Sequence, residues 1–108
     1  MSNDVVITQE RTEGKAIVKV TGEIDVASAP QLRSELQEVC SGGNPAVAVD
    51  LRQVTFLDSS ALGVLVGALR RSKENKTELQ LIIDSPRLLK IFDITGLTSV
   101  FNISDSID

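Results

Sequence analysis

The chain has 108 residues, 42% hydrophobic and 24% charged, which suits one domain, residues 1–108, with a single core. Eleven Lys and Arg against 15 Asp and Glu leave a formal net charge of −4, which disfavours nucleic acid and anionic membranes as partners. Histidine is absent and Cys40 is the single cysteine, so Ser-His-Asp and Cys-His catalysis, structural zinc and an internal disulfide are all excluded.

In chain order, "VVITQER" and "KAIVKVTG" read as two strands joined by "TEG", a short glycine-containing connection that predicts an antiparallel hairpin. The turn "EIDVA" leads into "SAPQLRSELQEVC", where Leu32, Leu36 and Val39 recur at helical spacing. Pro30 near its start and Gly42 and Gly43 beyond its end predict a helix over about Ala29 to Cys40, with Cys40 as a packing residue on its apolar stripe. "PAVAVDL" is a short unbroken apolar run, as a strand covered on both faces would be. Beyond "TFLDSSALGVLVGALRR", "ELQLIID" is another buried strand. "SPRLLKIFDITG" is a helix capped by Ser85, with Pro86 in its first turn and Gly96 as its stop. "SVFNI" reads as a last short strand before the polar tail "SDSID". The order β-β-α-β-α-β-α-β predicts an α/β fold: a mostly parallel sheet of four to five strands, with the antiparallel hairpin at its start and helices packed on it.

The longest apolar stretch, Ala61 to Leu69, is nine residues, against roughly 20 for a membrane span. "MSNDVVITQE" lacks the basic and apolar regions of a signal peptide, and with one cysteine the simplest setting is the reducing cytoplasm. Neither of the common glycine-rich phosphate loops occurs, no S-x-x-K spacing exists, and no cofactor or metal is implied. The cations Arg70, Arg71, Lys73 and Lys76 fall where they complement the negative end of a helix.

The segment "TFLDSSALGVLVGALRR" sets an acid and two serines before a helix with an apolar stripe through Leu62, Leu65, Val66 and Leu69, widened by Ala61, Val64 and Ala68. Asp58 can accept from the free N–H groups of Ser60 or Ala61 as an ordinary N-cap. That leaves Ser59 just inside the helix, its hydroxyl directed outward, at the carboxyl edge of the strands where functional groups collect. Ser59, Gly63 and Gly67 form a line with almost no side chain, open either to another backbone of the fold or to a second protein.

Three segments in the same order resemble the anti-sigma factor antagonists built on the STAS domain. "VTGEIDVASAPQLR" is similar to the family's G-E-[IL]-D turn and first helix, "FLDSSALGVLVG" to its D-S-[ST]-G-L-G phosphoserine motif, and "LLKIFDITGL" to its late helix and turn. The resemblance implies that the unphosphorylated chain binds an anti-sigma factor with serine kinase activity and so releases a sigma factor. Phosphorylation of Ser59, not Ser60, would end that binding, and a serine phosphatase would restore it. It also implies a partner-binding surface of Asp25, Asp58, Ser59, Ser60 and Gly63, with no catalysis by the chain itself. Ala61 stands where the family usually has glycine, and a further C-terminal helix common in the family is short or missing in this sequence. The other reading within the fold is a stand-alone regulatory subunit of a transporter or its ATPase, with the serine line as a docking surface. Ser59 as an enzymatic nucleophile would lack a base.

Overall fold

The computed structural model describes residues 5–41 and 43–107. Strands β1 (Val6–Thr12) and β2 (Lys15–Ile24) pair antiparallel from Thr12↔Lys15 to Val6↔Thr21. Gly14 takes φ 77° in their two-residue connection, a conformation that L side chains rarely adopt. Helix α1 (Ala29–Ser41) then leads to β3 (Ala46–Leu57), α2 (Ser59–Glu74), β4 (Glu78–Ile82), α3 (Pro86–Ile94) and β5 (Asn102–Ser104). The sheet order is β1-β2-β3-β4-β5, with every pair after the first parallel, which is the α/β arrangement that the alternation of elements predicts.

Alternation along the strands sends Ala16, Val18, Val20, Val47, Val49, Leu79 and Leu81 to one face. There they meet Leu32 and Leu36 of α1, Leu62 and Leu65 of α2, and Leu88 and Phe92 of α3, so all three helices share one core. Full burial of one such leucine stabilises by about 2 kcal/mol. Phe92 and Phe101 close the α3 end in an edge-to-face contact, ring centroids 5.9 Å apart. On the opposite face Ile17, Ala48 and Ile82 form a smaller apolar cluster against Ile107. The second cover of β3 is therefore the tail and not a helix: Lys15 Nζ donates to the Ile107 carbonyl at 3.1 Å and holds that segment to the sheet.

Two expectations shift. The last strand is Asn102–Ser104, while Ser99 and Val100 lie in a turn and Phe101 drops into the core instead of extending the strand. Strand β3 does not stop at Leu51 but runs on to Leu57, because it carries two β-bulges opposite β2. Pairing steps from Lys19↔Asp50 to Thr21↔Gln53, then from Gly22↔Val54 to Glu23↔Phe56, one extra β3 residue each time. Each bulge resets which face a side chain meets, so Leu51, Val54 and Leu57 are all buried although they lie three residues apart.

Helix ends follow local chemistry. Ser85 Oγ accepts from the Leu88 N–H at 3.3 Å, and Gly96 at φ 75° ends α3 as its sequence predicts. The Leu97 N–H donates to the Phe92 carbonyl and the Gly96 N–H to Asp93, which makes a Schellman motif. Helix α2 ends the same way, with the Thr77 N–H donating to Ser72 and the Lys76 N–H to Lys73, but the left-handed position is held by Lys76 at φ 56°. Arg71 and Lys73 lie in that last turn, where their charge suits the helix dipole. At the end of α1, Asn44 Nδ2 donates to the Val39 carbonyl and Asn75 Nδ2 to that of Cys40. Gly43 has φ 79°, and Gly42 lies outside the described residues.

Candidate functional site

The site forms where β2 and β3 end side by side. Ile24 pairs with Leu57, and the Asp58 N–H donates to the Ile24 carbonyl at 3.2 Å, which stitches the loop carrying Asp25 to the start of α2. Asp58 has extended φ −106° and ψ −174°, and its Oδ1 accepts from the Ala61 N–H at 3.2 Å. It is thus the N-cap, with Ala61 as the donor of the two that the sequence allows. Ser59 is the first residue of α2 and is exposed, while Ser60 is half-buried. Neither hydroxyl has a hydrogen-bond partner among the described residues.

Asp25 is half-buried and organises its own loop. Its Oδ1 accepts from the Ala27 N–H at 3.0 Å and the Ser28 N–H at 3.3 Å, and its N–H donates to Ser28 Oγ at 3.0 Å. Ser28, buried in turn, places a hydroxyl 3.3 Å from the Glu23 carbonyl. The loop is a tied turn ahead of α1, so Asp25 has a structural part whatever else it contacts.

A STAS domain family model matches residues 6–108. The chain belongs to the STAS domain family. The anti-sigma-B factor antagonist of Bacillus subtilis (strain 168) is 39% identical over 95 residues, spanning 88% of this chain and 86% of that protein. That of Staphylococcus aureus (strain NCTC 8325 / PS 47) is 35% identical over 88 residues, spanning 82% of each. Among solved structures, an anti-sigma factor antagonist from Mycobacterium paratuberculosis superposes with TM-score 0.89 at 27% identity, over 97% of this chain and 89% of that one.

Around this STAS site the structure adds residues that the sequence reading did not single out. Val26 and Phe56 are 72% and 46% exposed, the first beside Asp25 and the second two residues before Asp58, so apolar side chains stay exposed in both segments that lead to the site. An exposed aromatic needs the bulge to be known, since simple alternation does not place Phe56. On the sheet face away from the helices, Asp50 is buried and forms an ion pair with Arg52, Nη2 to Oδ2 at 3.0 Å. Its Oδ1 accepts from Arg52 Nε at 3.0 Å and from the Arg52 backbone N–H at 3.1 Å. Burial pushes this carboxyl up, but the hydrogen bonds and charge of Arg52, with Lys19 beyond, outweigh it and hold the group below the ordinary carboxylate range. The buried acid thus satisfies the N–H that the first bulge removes from the ladder, and the second half of β3 carries Asp58 into capping position.

Cys40 is fully buried, and that burial raises its thiol against a smaller pull from Arg71, as suits a packing residue. Gly63 and Gly67 are exposed, and a Cβ built on either meets nothing within 4 Å. Of the two uses open to the line of small residues, close packing inside this fold is therefore ruled out. The glycines form part of a groove between α1 and α2 whose floor includes Leu36, Val64 and Ala68. No group of three or more metal-binding side chains and no helix long and apolar enough to cross a membrane occurs among the described residues.

Proposed function

We propose that this chain is an anti-sigma factor antagonist that works by partner switching. Unphosphorylated, it binds an anti-sigma factor that is also a serine kinase, and a sigma factor is released. Phosphorylation of Ser59 ends the complex, and a serine phosphatase restores it. The observation that carries the reading is the placement of Ser59: an exposed, unbonded hydroxyl on the first residue of α2, directly after the capping Asp58. The names of the curated relatives support the class.

The physical logic is a charge block on a preformed surface. Phosphoserine brings about −1.5 to −2 charges beside Asp58 and the Asp25 loop. Like-charge juxtaposition in an interface costs several kcal/mol, and ~1.4 kcal/mol is tenfold in affinity, so one phosphate weakens binding by about two orders of magnitude or more. Within the domain the same phosphate is tolerated, because a helix N-terminus presents free N–H groups and a positive dipole end. Ser60 is half-buried and less accessible.

Intact mass of the protein from its native cell, with peptide mapping, tests the reading. One added phosphate on the peptide containing Ser59, absent in Ser59→Ala, is the expected result. A phosphate retained in Ser59→Ala but lost in Ser60→Ala would reassign the acceptor.

A further inference from the structure

Strand β3 reaches Ser59 by way of its two bulges. Counted on from Lys19↔Asp50, the plain register would set Ile24 opposite Thr55, and the two extra residues set it opposite Leu57 instead. They draw the start of α2 back by about 7 Å along the strand. In that register the Asp58 N–H meets the Ile24 carbonyl, with Asp25 one residue beyond the bond on one segment and Ser59 one residue beyond it on the other. Bulges next to functional sites re-aim side chains in this way.

The two bulges are held differently. At the second, Val54 and Leu57 on either side are buried in the main core, so apolar packing fixes it. The first spans Leu51 and Arg52, and the Asp50 carboxylate closes it: Oδ1 accepts from the Arg52 backbone N–H at 3.1 Å and from Nε at 3.0 Å, and Oδ2 accepts from Nη2 at 3.0 Å. Exchange of a buried ion pair for well-packed apolar side chains is often neutral or stabilising, so stability alone does not account for an acid at this position. Asp50 is buried and lies roughly 20 Å before Asp58 along the strand, so it touches no partner docked at Ser59.

Resting on the functional reading above, we infer that Asp50 is a positioning residue for the switch. By tying the Arg52 N–H across the first bulge, it sets the register in which Ser59 and Asp25 are presented together. A partner that grips both segments binds only molecules in that register, and apparent affinity falls with their fraction. The reacting hydroxyl itself is unchanged, so loss of Asp50 raises KM for Ser59 phosphorylation and leaves kcat alone.

The test uses the full chain and purified anti-sigma-B factor of Bacillus subtilis, at a temperature where every variant is folded. Calorimetry follows binding, mass spectrometry follows the rate of Ser59 phosphorylation, and amide hydrogen exchange is measured on the free chain. In Asp50→Ala, Kd and KM rise about fivefold or more with kcat unchanged, and exchange of the Asp58 amide accelerates relative to those of Val18 and Val49. Asp50→Asn keeps an oxygen for the Arg52 N–H and brings Kd back to within about twofold of the parent. Arg52→Gln removes the ion pair but keeps the backbone tie, so it melts lower than the parent and still binds within about twofold of it. Parent-like Kd and KM in Asp50→Ala, or a Kd that tracks melting temperature across the three variants, overturns the positioning and leaves the functional reading standing. No binding and no phosphorylation of the unsubstituted chain overturns both.

Discussion

Replacing Asp50 by alanine tests whether one buried carboxylate holds the first bulge of β3. The Asp50 side chain is 3% exposed and accepts three hydrogen bonds, all from Arg52. In Asp50→Ala the guanidinium, itself partly exposed, turns to water, and the Arg52 backbone N–H loses its carboxylate acceptor. Leaving a buried donor unsatisfied costs about 1–3 kcal/mol, so a loss of about 2 kcal/mol is expected. For a domain of this size that corresponds to a melting temperature roughly 8 °C lower. Asp50→Asn keeps an oxygen for the N–H and should lose about half as much. The pH dependence carries a sign. The folded carboxyl is held below its ordinary value, so its contribution is fully present above the unfolded pKa of about 3.9 and is lost as pH falls through the folded one. Urea denaturation from pH 7 downward should show a constant gap between the parent and Asp50→Asn until about pH 5, and a shrinking gap in more acidic solution. A melting temperature for Asp50→Ala within about 2 °C of the parent at pH 7 would refute the argument, as would a gap that widens in acid.

Three further outcomes follow from local geometry. Lys76 holds a left-handed position in the same Schellman geometry that Gly96 serves at the end of α3, so Lys76→Gly should stabilise by about 1 kcal/mol and raise the melting temperature by about 4 °C in calorimetry. Asp58→Ala removes the bond to the Ala61 N–H and should cost about 1 kcal/mol in a denaturant titration, with Asp58→Asn close to the parent. Cys40 is buried with its thiol raised by that burial, so a thiol reagent at pH 7 should label it only at the rate of global unfolding, and labelling should accelerate with denaturant in step with loss of structure.

The elements with a clean period were legible in the sequence because their signals are local. The helical spacing of Leu32, Leu36 and Val39, the caps at Asp58 and Ser85, and the stop at Gly96 each depend on chemistry within a few residues. The same holds for Ser59: a capping acid followed by a serine and an apolar stripe places the hydroxyl at a helix mouth without knowledge of the rest. What the sequence could not convey was every feature set by contact between distant segments. The run from Arg52 to Leu57 reads as no strand, since Leu51, Val54 and Leu57 match neither a period of two nor 3.6, and only pairing with β2 makes two bulges and a continuous strand of it. Asp50 stood inside a run read as apolar, and only the structure shows the Arg52 N–H that its carboxylate accepts from. Ile107 looked like part of a polar tail until the sheet exposed Ile17, Ala48 and Ile82 to it. The glycines of α2 were open to both an inner and an outer use, and tertiary packing decided the matter by leaving the space above them empty. Local conformation is settled by neighbours in the chain. Which face a side chain meets, and what covers it, is settled by residues distant in the chain, and a periodicity carries no trace of those partners.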